Sequence, residues 1–286
     1  TGIDYITISS MGNALKFGDL TSTVRWGSHG CASATRGLFA GGYINISPAA
    51  FYNIIEYITI SSTGNPVNFG DLTERTYRSG CLASSTRGVF AHGFTDTPSA
   101  FTITNTISYV TIASLGDSAN FGDLAVESLA NTAALSSSTR GVIAGGVSPA
   151  EVNTMQYLTI ATTGNTQDFG DLTENQNSPM ATSSPTRGII GGGYDAPTNT
   201  NTIGYITIAS TGNAQDFGDL TGLYSVGGAV SNSLRGVFVG GYTSPSRHNL
   251  MEYVTISSTG NTKDFGDLLY ARRDFGAFSD SHGGIS

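Results

Sequence analysis

The chain has little charge, almost no lysine and no long apolar run. Only 12% of its 286 residues are charged, lysine occurs only at Lys16 and Lys263, and the formal net charge is −8. Nucleic-acid affinity depends on clustered lysine and arginine, so this composition argues against a nucleic-acid partner. No segment approaches the ~18 consecutive apolar residues of a membrane-spanning helix. We therefore expect no insertion into a membrane.

Cysteine and histidine are also scarce. The two cysteines, Cys31 and Cys81, each follow a glycine in neighbouring repeats, and we interpret them as small buried residues. The four histidines have no metal-ligand spacing, so neither a metal nor another cofactor is expected; they are His29, His92, His248 and His282. The chain begins without methionine and without a signal-peptide pattern, which indicates a processed product or part of a longer protein.

A ten-residue segment, written "TGNTKDFGDL" at residues 259–268, occurs in similar form six times. Its Phe-Gly-Asp-Leu motif starts at Phe17, Phe69, Phe121, Phe169, Phe217 and Phe265, so its spacing is nearly constant. A period of about 40–50 residues is typical of a solenoid or a propeller. The content of one repeat decides between them.

One repeat predicts four short strands and no helix. In the last full copy, strand A is "GGAVSNS" (227–233) and strand B lies in "LRGVFVGGY" (234–242). Strand C lies in "LMEYVTISS" (250–258), and a Gly-Asn turn joins it to strand D, "TKDFGDL" (262–268). A tight Gly/Asn turn between β-rich segments indicates a hairpin. Four antiparallel strands per repeat are typical of a propeller blade.

The two ends of the chain predict a shared blade. The chain starts with strands C and D and ends with "DFGAFSDSHGGIS" (274–286), which we interpret as strand A and the start of strand B. Joining the ends would remove an open sheet edge. We therefore predict an all-β fold: one six-bladed β-propeller over residues 1–286, whose closing blade is built from both termini. Either the last strand of that blade is short, or the parent chain continues beyond Ser286.

The repeat resembles the kelch repeat. The resemblance rests on the six strand-C tyrosines and on four glycine motifs, Gly41-Gly42-Tyr43, Gly145-Gly146, Gly192-Gly193-Tyr194 and Gly240-Gly241-Tyr242. Phenylalanine stands where kelch strand D has tryptophan, and Ala91-His92-Gly93 replaces one Gly-Gly. The whole chain is similar to kelch-like arrays of tailed, chiefly marine and cyanobacterial, bacteriophages. That resemblance implies a virion location, other virion proteins as partners and no enzymatic activity.

Two charges recur in the repeats. An arginine opens strand B at Arg36, Arg87, Arg140, Arg187 and Arg235, with His282 in the sixth copy. The motif aspartates are Asp19, Asp71, Asp123, Asp171, Asp219 and Asp267. A circle of arginines could bind an anionic ligand. Because a charge present in every repeat has the same local role each time, we instead expect Arg–Asp pairs or turn caps within or between blades.

All sequence variability falls on one face. Antiparallel order places the A–B and C–D turns, which barely change, opposite the variable B–C and D–A loops. Arginines and aromatic residues dominate interface hot spots, and aromatics stack on sugars. From this face we select as candidate ligand contacts Arg25, Trp26, Tyr52, Tyr77, Arg78, Tyr224, Arg247, His248 and Arg272. The same loops also carry Phe51, Arg75, Phe101, Tyr270 and Arg273.

We thus expect a non-enzymatic phage surface protein, a tail-fibre, appendage or capsid-decoration module, that binds a host-surface glycan or another virion protein. The alternative is a carbohydrate-active enzyme with a galactose-oxidase-like or sialidase-like propeller. The first needs a copper site and the second a Ser-x-Asp-x-Gly-x-x-Trp turn, and the turns here read "SSTGN" and "ATTGN". A third possibility is a purely structural spacer. We predict no catalytic residues.

Overall fold

The computed structural model describes residues 2–21, 26–44, 50–97, 100–125 and 129–285. In these residues the secondary structure is entirely β, and every strand pairing is antiparallel. This agrees with the all-β prediction and with the lack of any 3.6-residue apolar period.

The first half of the chain forms a two-stranded sheet and two four-stranded sheets, with a smaller sheet in the loops of each four-stranded one. The two-stranded one, called the terminal sheet, contains β1 (Gly2–Tyr5) and β2 (Leu15–Asp19). Sheet 1 and its loops contain β3 (His29–Ala32), β4 (Arg36–Ala40), β5 (Tyr43–Ile44), β6 (Ala50–Phe51), β7 (Ile54–Thr59) and β8 (Val67–Asp71). Sheet 2 and its loops contain β9 (Thr76–Tyr77), β10 (Gly80–Ala83), β11 (Arg87–Ala91), β12 (Phe94–Thr97), β13 (Ala100–Ile103), β14 (Thr106–Thr111) and β15 (Ala119–Asp123).

The second half repeats the arrangement three times. Sheet 3 contains β16 (Ala133–Ser136), β17 (Arg140–Ala144), β18 (Thr154–Thr159) and β19 (Gln167–Asp171). Sheet 4 and its loops contain β20 (Met180–Ser183), β21 (Arg187–Gly191), β22 (Tyr194–Asp195), β23 (Thr198–Asn199), β24 (Thr202–Thr207) and β25 (Gln215–Asp219). Sheet 5 contains β26 (Gly228–Ser231), β27 (Arg235–Val239), β28 (Tyr242–Thr243), β29 (Ser246–Thr255) and β30 (Lys263–Arg272).

Sheets 1 to 5 share the strand order A-B-C-D that the sequence predicts. Strand B is buried along almost its whole length, whereas strand D is exposed over its first two residues. Strand A of each sheet contacts strand A of the next, from β3 through β10, β16 and β20 to β26. Strand B is apolar on both faces because it lies between neighbouring sheets on either side.

The repeated ten-residue motif joins each repeat to the next. The glycine amide of each Thr-Gly-Asn-type turn donates to the motif Phe carbonyl of the preceding repeat, as Gly64 does to Phe17 at 2.9 Å. Five such bonds follow the chain order, and the sixth runs from the Gly12 amide to the Phe265 carbonyl at 2.9 Å, from the first repeat back to the last. The motif recurs in the sequence because it forms the contact between adjacent repeats.

The motif glycine is required by the same contact. A Cβ on Gly122 would lie 2.3 Å from the carbonyl oxygen of Gly164 in the next repeat. A Cβ on Gly266 would lie 2.6 Å from the carbonyl oxygen of Gly12. Since real Cβ atoms do not approach backbone oxygen so closely, only glycine allows adjacent repeats to pack at this distance.

A second set of backbone hydrogen bonds links all six repeats near the variable face. One residue per repeat has a left-handed conformation, and its amide donates to the carbonyl of its counterpart in the preceding repeat. The six residues are Gly27, Arg78, Asn131, Ser178, Val226 and Asp274, and the last bond runs from the Gly27 amide to the Asp274 carbonyl at 2.8 Å. Five of these residues carry a side chain at positive φ, so the bonds offset a local backbone strain.

Apolar cores fill the spaces between adjacent sheets. Between sheets 3 and 4, for example, Phe169 packs with Ile190 and Ile208. Ile6, Ile8 and Ala14, in the connection between β1 and β2, pack against sheet 5. The other face of the terminal sheet forms a smaller core with sheet 1, containing Ile3, Phe17, Phe39 and Ile58, with Leu20 and Phe278 packed against it.

The C-terminal segment differs from the prediction of a strand A followed by a strand B. Residues 273–285 contain no strand. Residues 275–279 lie beside β3 and β26, where the Phe278 ring packs on Phe39 and the Ser279 hydroxyl accepts from the Ser231 amide at 3.2 Å. The following residues then turn inward. Gly283 and Gly284 pack against carbonyl oxygens of strands A, which a side chain would not allow.

Candidate functional site

A cleft of about 1030 Å³ lies between sheet 5, the terminal sheet and sheet 1. We call it the terminal cleft. Its walls include β1, residues 275–279 and the start of the C–D turn of sheet 1 at Ile60. Its variable-face end is lined by Trp26, Arg247, Arg272 and Arg273. The cleft volume is at the upper end of the ~300–1,000 Å³ that is usual for small-molecule pockets.

Two arginines and two aromatic rings meet at the variable-face end of the terminal cleft. The Arg273 guanidinium carbon lies 3.9 Å from the Tyr242 ring centroid and 5.9 Å from that of Trp26. The Arg247 guanidinium carbon also lies 5.9 Å from the Trp26 ring centroid. We call these four residues the Trp26 cluster. The rings attract the guanidinium charges and hold them in place, and guanidinium groups so held can bind an anion.

The pKa of the Tyr242 phenol is shifted by neighbouring groups. Its pKa is lowered from 10, first by a hydrogen bond with Ser244 and then by the charge of Arg273. Tyr242 is held in place by mutual backbone bonds with Ser225, at 2.9 and 3.2 Å. Trp26 makes the equivalent mutual bonds with Tyr43, both at 2.8 Å. Each B–C loop is thus tied to the preceding D–A segment, so variable side chains stand on a fixed backbone.

Arg272, another candidate contact, holds sheet 5 to the terminal sheet. Its guanidinium donates to the Gly2 carbonyl at 2.9 Å and to the Asp4 carboxylate at 2.8 Å. The Asp4 carboxylate is 4% exposed, so this ion pair is largely shielded from water. Arg272 therefore serves first as a structural contact at the edge of the terminal cleft.

Arg78 is also engaged within the protein. It forms an ion pair with Asp274 at 2.7 Å and donates to the Asn131 side chain at 3.2 Å. All three belong to the set of left-handed residues that links the six repeats. The Arg273 Nε also lies 3.5 Å from the Asp274 carboxylate, which offsets part of its charge, so Arg247 is the better candidate for a ligand anion.

The remaining candidates lie in other places. Tyr77 packs among Tyr43, Phe51 and Phe94, and burial raises the pKa of its phenol to about 12. Tyr224 makes an edge contact with His248, with centroids 4.9 Å apart, and burial raises its pKa. Tyr52 is half-buried in the B–C loop of sheet 1, and Arg25 lies outside the described residues.

Three of the predicted candidates, Trp26, Arg247 and Arg272, line the terminal cleft. Arg273, which also lines it, and Tyr242, which contacts Arg273, are not among those candidates. The doublet in "YARRD" is a sequence signal for Arg273, whereas Tyr242 belongs to a glycine motif of the repeat. Its contact with Arg273 joins two loops that are separated by a whole hairpin, which spacing along one strand does not reveal.

The five repeat arginines make one contact pattern. Each guanidinium lies over the strand-C tyrosine of its own sheet, at 4.3 to 4.7 Å from the ring centroid. Each also donates to the carbonyl of an isoleucine in the next repeat, and Arg235 reaches Ile8 of the first repeat at 3.0 Å. These arginines bond to backbone carbonyls rather than to the motif aspartates that the sequence suggested as partners.

The motif aspartates contribute through their backbone. The amide of each donates to an Asn or Asp side-chain oxygen in the turn of the next repeat, as Asp171 does to Asn213 at 3.0 Å. The same bond occurs at Asp19, Asp71, Asp123, Asp219 and Asp267, at 2.9 to 3.1 Å. The side chain of Asp19 pairs with Lys16 at 2.6 Å.

His29 gives the protein an expected pH dependence. Its Nε2 accepts from the Ser79 amide, and burial together with the Arg78 charge lowers its pKa from 6.5 to about 3. Between these pH values the unfolded state binds a proton that the folded state does not, so stability falls as pH falls. Through this group, we expect the free energy of unfolding to fall by about 2 kcal/mol between pH 7 and pH 5.

Urea unfolding at pH 7 and pH 5 measures this cost. The variant His29→Gln, whose amide oxygen can still accept from Ser79, should lose less stability over the same interval than the wild type. Equal losses in the two proteins would contradict the assignment. His282, whose pKa burial also lowers, contributes in the same direction and remains in both proteins.

The cysteines are free, and burial raises the pKa of Cys31 to about 12. Among the described residues, no group of three or more His, Cys, Asp or Glu is arranged to hold a metal ion. The described part of the chain also contains no helix with the length and hydropathy needed to cross a membrane.

No family model matches the chain, and no curated protein matches it significantly.

Proposed function

We propose that the six repeats are the six blades of a β-propeller and that this propeller is a non-enzymatic binding module of a phage virion surface. Three sets of contacts support the propeller, because each runs through all repeats and returns from the last to the first. They are the motif amide bonds, the bonds among left-handed residues and the asparagine or aspartate side-chain bonds. The C-terminal residues 275–279 supply the innermost segment of the closing blade.

The observation that carries the binding role is the Trp26 cluster. Arg247 and Arg273 bring two positive charges to the ring of Trp26 in a chain of net charge −8, and the Asp274 carboxylate, 3.5 Å from Arg273, offsets part of that charge. Two guanidinium groups held over aromatic rings fit a carboxylate or sulfate with bidentate hydrogen bonds. Aromatic faces beside them fit the apolar face of a sugar ring. The ligand class we propose is therefore an acidic host-surface glycan.

The virion location follows from the resemblance to phage kelch-like arrays. The surface, poor in charge and rich in Ser, Thr and Asn, suits a protein exposed on a particle. A rigid scaffold with variable loops on one face suits recognition of a variable host surface. A second function, contact with another virion protein, is favoured by β1, which lines the terminal cleft and pairs only with β2 in the described residues.

Binding to an array of neutral, carboxylated and sulfated glycans tests the proposal. We expect acidic glycans to bind and neutral ones not, with affinity that falls as salt rises. Trp26→Ala and Arg273→Ala should each weaken binding by about tenfold or more. Unfolding temperatures confirm that each variant is folded.

The matched comparison is Tyr224→Ala, an aromatic change on the same face but outside the terminal cleft. It should leave glycan affinity unchanged. Loss of binding in that variant alone would move the site to the Tyr224–His248 pair and overturn our assignment. Cleavage or oxidation of a bound glycan, measured by mass spectrometry, would show that the protein is an enzyme and not a non-enzymatic binding module.

A further inference from the structure

The terminal cleft contains a strand edge that is paired in the other five sheets. In sheets 1 to 5 strand C pairs with strand B on one side and with strand D on the other. Strand β1, which is strand C of the terminal sheet, pairs only with β2 in the described part of the chain. Its other edge faces the cleft, across from residues 275–279. An unpaired edge beside an apolar core is a template for an added strand.

Strand B of sheets 1 to 5 shows which residues such an added strand must carry. In each, Arg-Gly begins strand B, and two large apolar residues and a small or apolar one follow. The arginine lies over the strand-C tyrosine, whose ring in turn meets the motif phenylalanine edge-on, as in Arg235, Tyr253 and Phe265. The same arginine donates to an isoleucine carbonyl of the next repeat.

The terminal cleft offers the same two partners for an arginine, a tyrosine ring and an isoleucine carbonyl. Tyr5 meets Phe17 edge-on at 6.0 Å, as the other strand-C tyrosines meet their phenylalanines, but it is 39% exposed. No arginine lies over Tyr5 or reaches the Ile60 carbonyl among the described residues, although Ile60 corresponds to the acceptors Ile112, Ile160, Ile208, Ile256 and Ile8. The aromatic face and the carbonyl are both electronegative, which complements an arginine.

A backbone carbonyl at the other end of β1 points to the same partner. In sheet 5 the Leu250 carbonyl accepts from the backbone amide of Gly240, just after strand B, at 2.9 Å. The corresponding carbonyl of β1, on Gly2, accepts from the Arg272 side chain instead. Arg272 thus substitutes for a strand-B amide at the edge of the terminal cleft.

We propose that the edge of β1 binds an extended segment of another polypeptide chain, with the pattern Arg-Gly followed by three apolar or small residues. Its pairing follows sheet 5, in which Arg235 is opposite Thr255 and Val239 is opposite Met251. The bound arginine is then opposite Thr7, lies over Tyr5 and donates to the Ile60 carbonyl. The bound apolar residues cover Ile3, Phe17 and Phe39. This site does not depend on glycan binding by the Trp26 cluster.

The test adds the peptide Ser-Leu-Arg-Gly-Val-Phe-Val-Gly-Gly, a copy of residues 233–241, to the intact chain. We expect saturable binding, followed by the emission of Trp26, the only tryptophan, which lines the cleft. Binding should raise the unfolding temperature and slow amide hydrogen exchange in residues 2–7. Changing the arginine of the peptide to alanine should weaken binding about tenfold or more.

Two controls keep the outcome specific. A peptide with proline in place of its first valine cannot pair as a strand and should not bind. Tyr5→Leu should weaken binding of the arginine peptide but not that of the alanine peptide. Absence of binding at millimolar peptide, or binding that neither the arginine nor Tyr5 affects, would overturn the proposal. If the chain formed a dimer that the peptide dissociates, the terminal cleft would bind a second copy of the chain, and the proposal would likewise be overturned.

Discussion

Gly122→Ala should destabilise the protein by about 4 kcal/mol. A methyl group there meets the Gly164 carbonyl oxygen at 2.3 Å, so the two repeats must move apart. Overpacking against a backbone costs about 1–3 kcal/mol, and a side chain in the conformation of Gly122, with φ +153°, adds about 1 kcal/mol. The hydrogen bond from the Gly164 amide to the Phe121 carbonyl, 2.8 Å long, is weakened as well. Urea unfolding at pH 7 measures the loss.

Gly164→Ala is the matched control for this prediction. Gly164 has nearly the same conformation, with φ +155°, but a Cβ there meets nothing within 4 Å. The control therefore bears the conformational cost alone, about 1 kcal/mol. The difference between the two variants isolates the contact between repeats. If both variants lost the same stability, the close approach of the motif would not be a source of that stability.

The repeat explains how much of this fold could be predicted from the sequence. Six copies of one pattern average out the local ambiguity of any single strand, so the strand order A-B-C-D followed from the apolar segments and the Gly-Asn turns. The contacts of each motif residue could not be predicted from the sequence. The role of Gly122 depends on Gly164 in the next repeat, and a sequence records only that the glycine recurs.

The ends and the variable face were harder to predict because they break the repeat. At the C-terminus, "HGGIS" aligns with a strand, but Gly283 and Gly284 pack against backbone carbonyl oxygens of Ala83, Ser136 and Ser184, where a side chain would not fit. On the variable face, ligand candidates were selected by residue type. Arg78 and Arg272 are candidates as loop arginines, but their ion pairs with Asp274 and Asp4 depend on contacts between residues that are far apart in the sequence.

Arg187→Ala should destabilise the protein by about 2 kcal/mol without changing its ligand binding. The substitution removes a charged hydrogen bond to the Ile256 carbonyl, 3.0 Å long, and a cation–π contact with Tyr205 at 4.5 Å. A hydrogen bond to a charged group contributes about 1.5–3 kcal/mol, and the guanidinium–ring contact about 0.5–1 kcal/mol where it is partly exposed. Thermal and urea unfolding measure the loss, and the glycan array measures binding.

The two contributions separate in a double-mutant cycle. Tyr205→Leu removes the ring and keeps the isoleucine carbonyl, so the coupling energy between Arg187→Ala and Tyr205→Leu reports the cation–π contact, about 0.5–1 kcal/mol. Arg187→Lys keeps a charge over Tyr205 but lacks the planar fork, and should recover less than half of the loss. Unchanged stability of Arg187→Ala with loss of glycan binding would mean that the arginines are ligand contacts. Because Arg187 bonds from sheet 4 to sheet 5, its removal should instead weaken one of the contacts that run through every repeat.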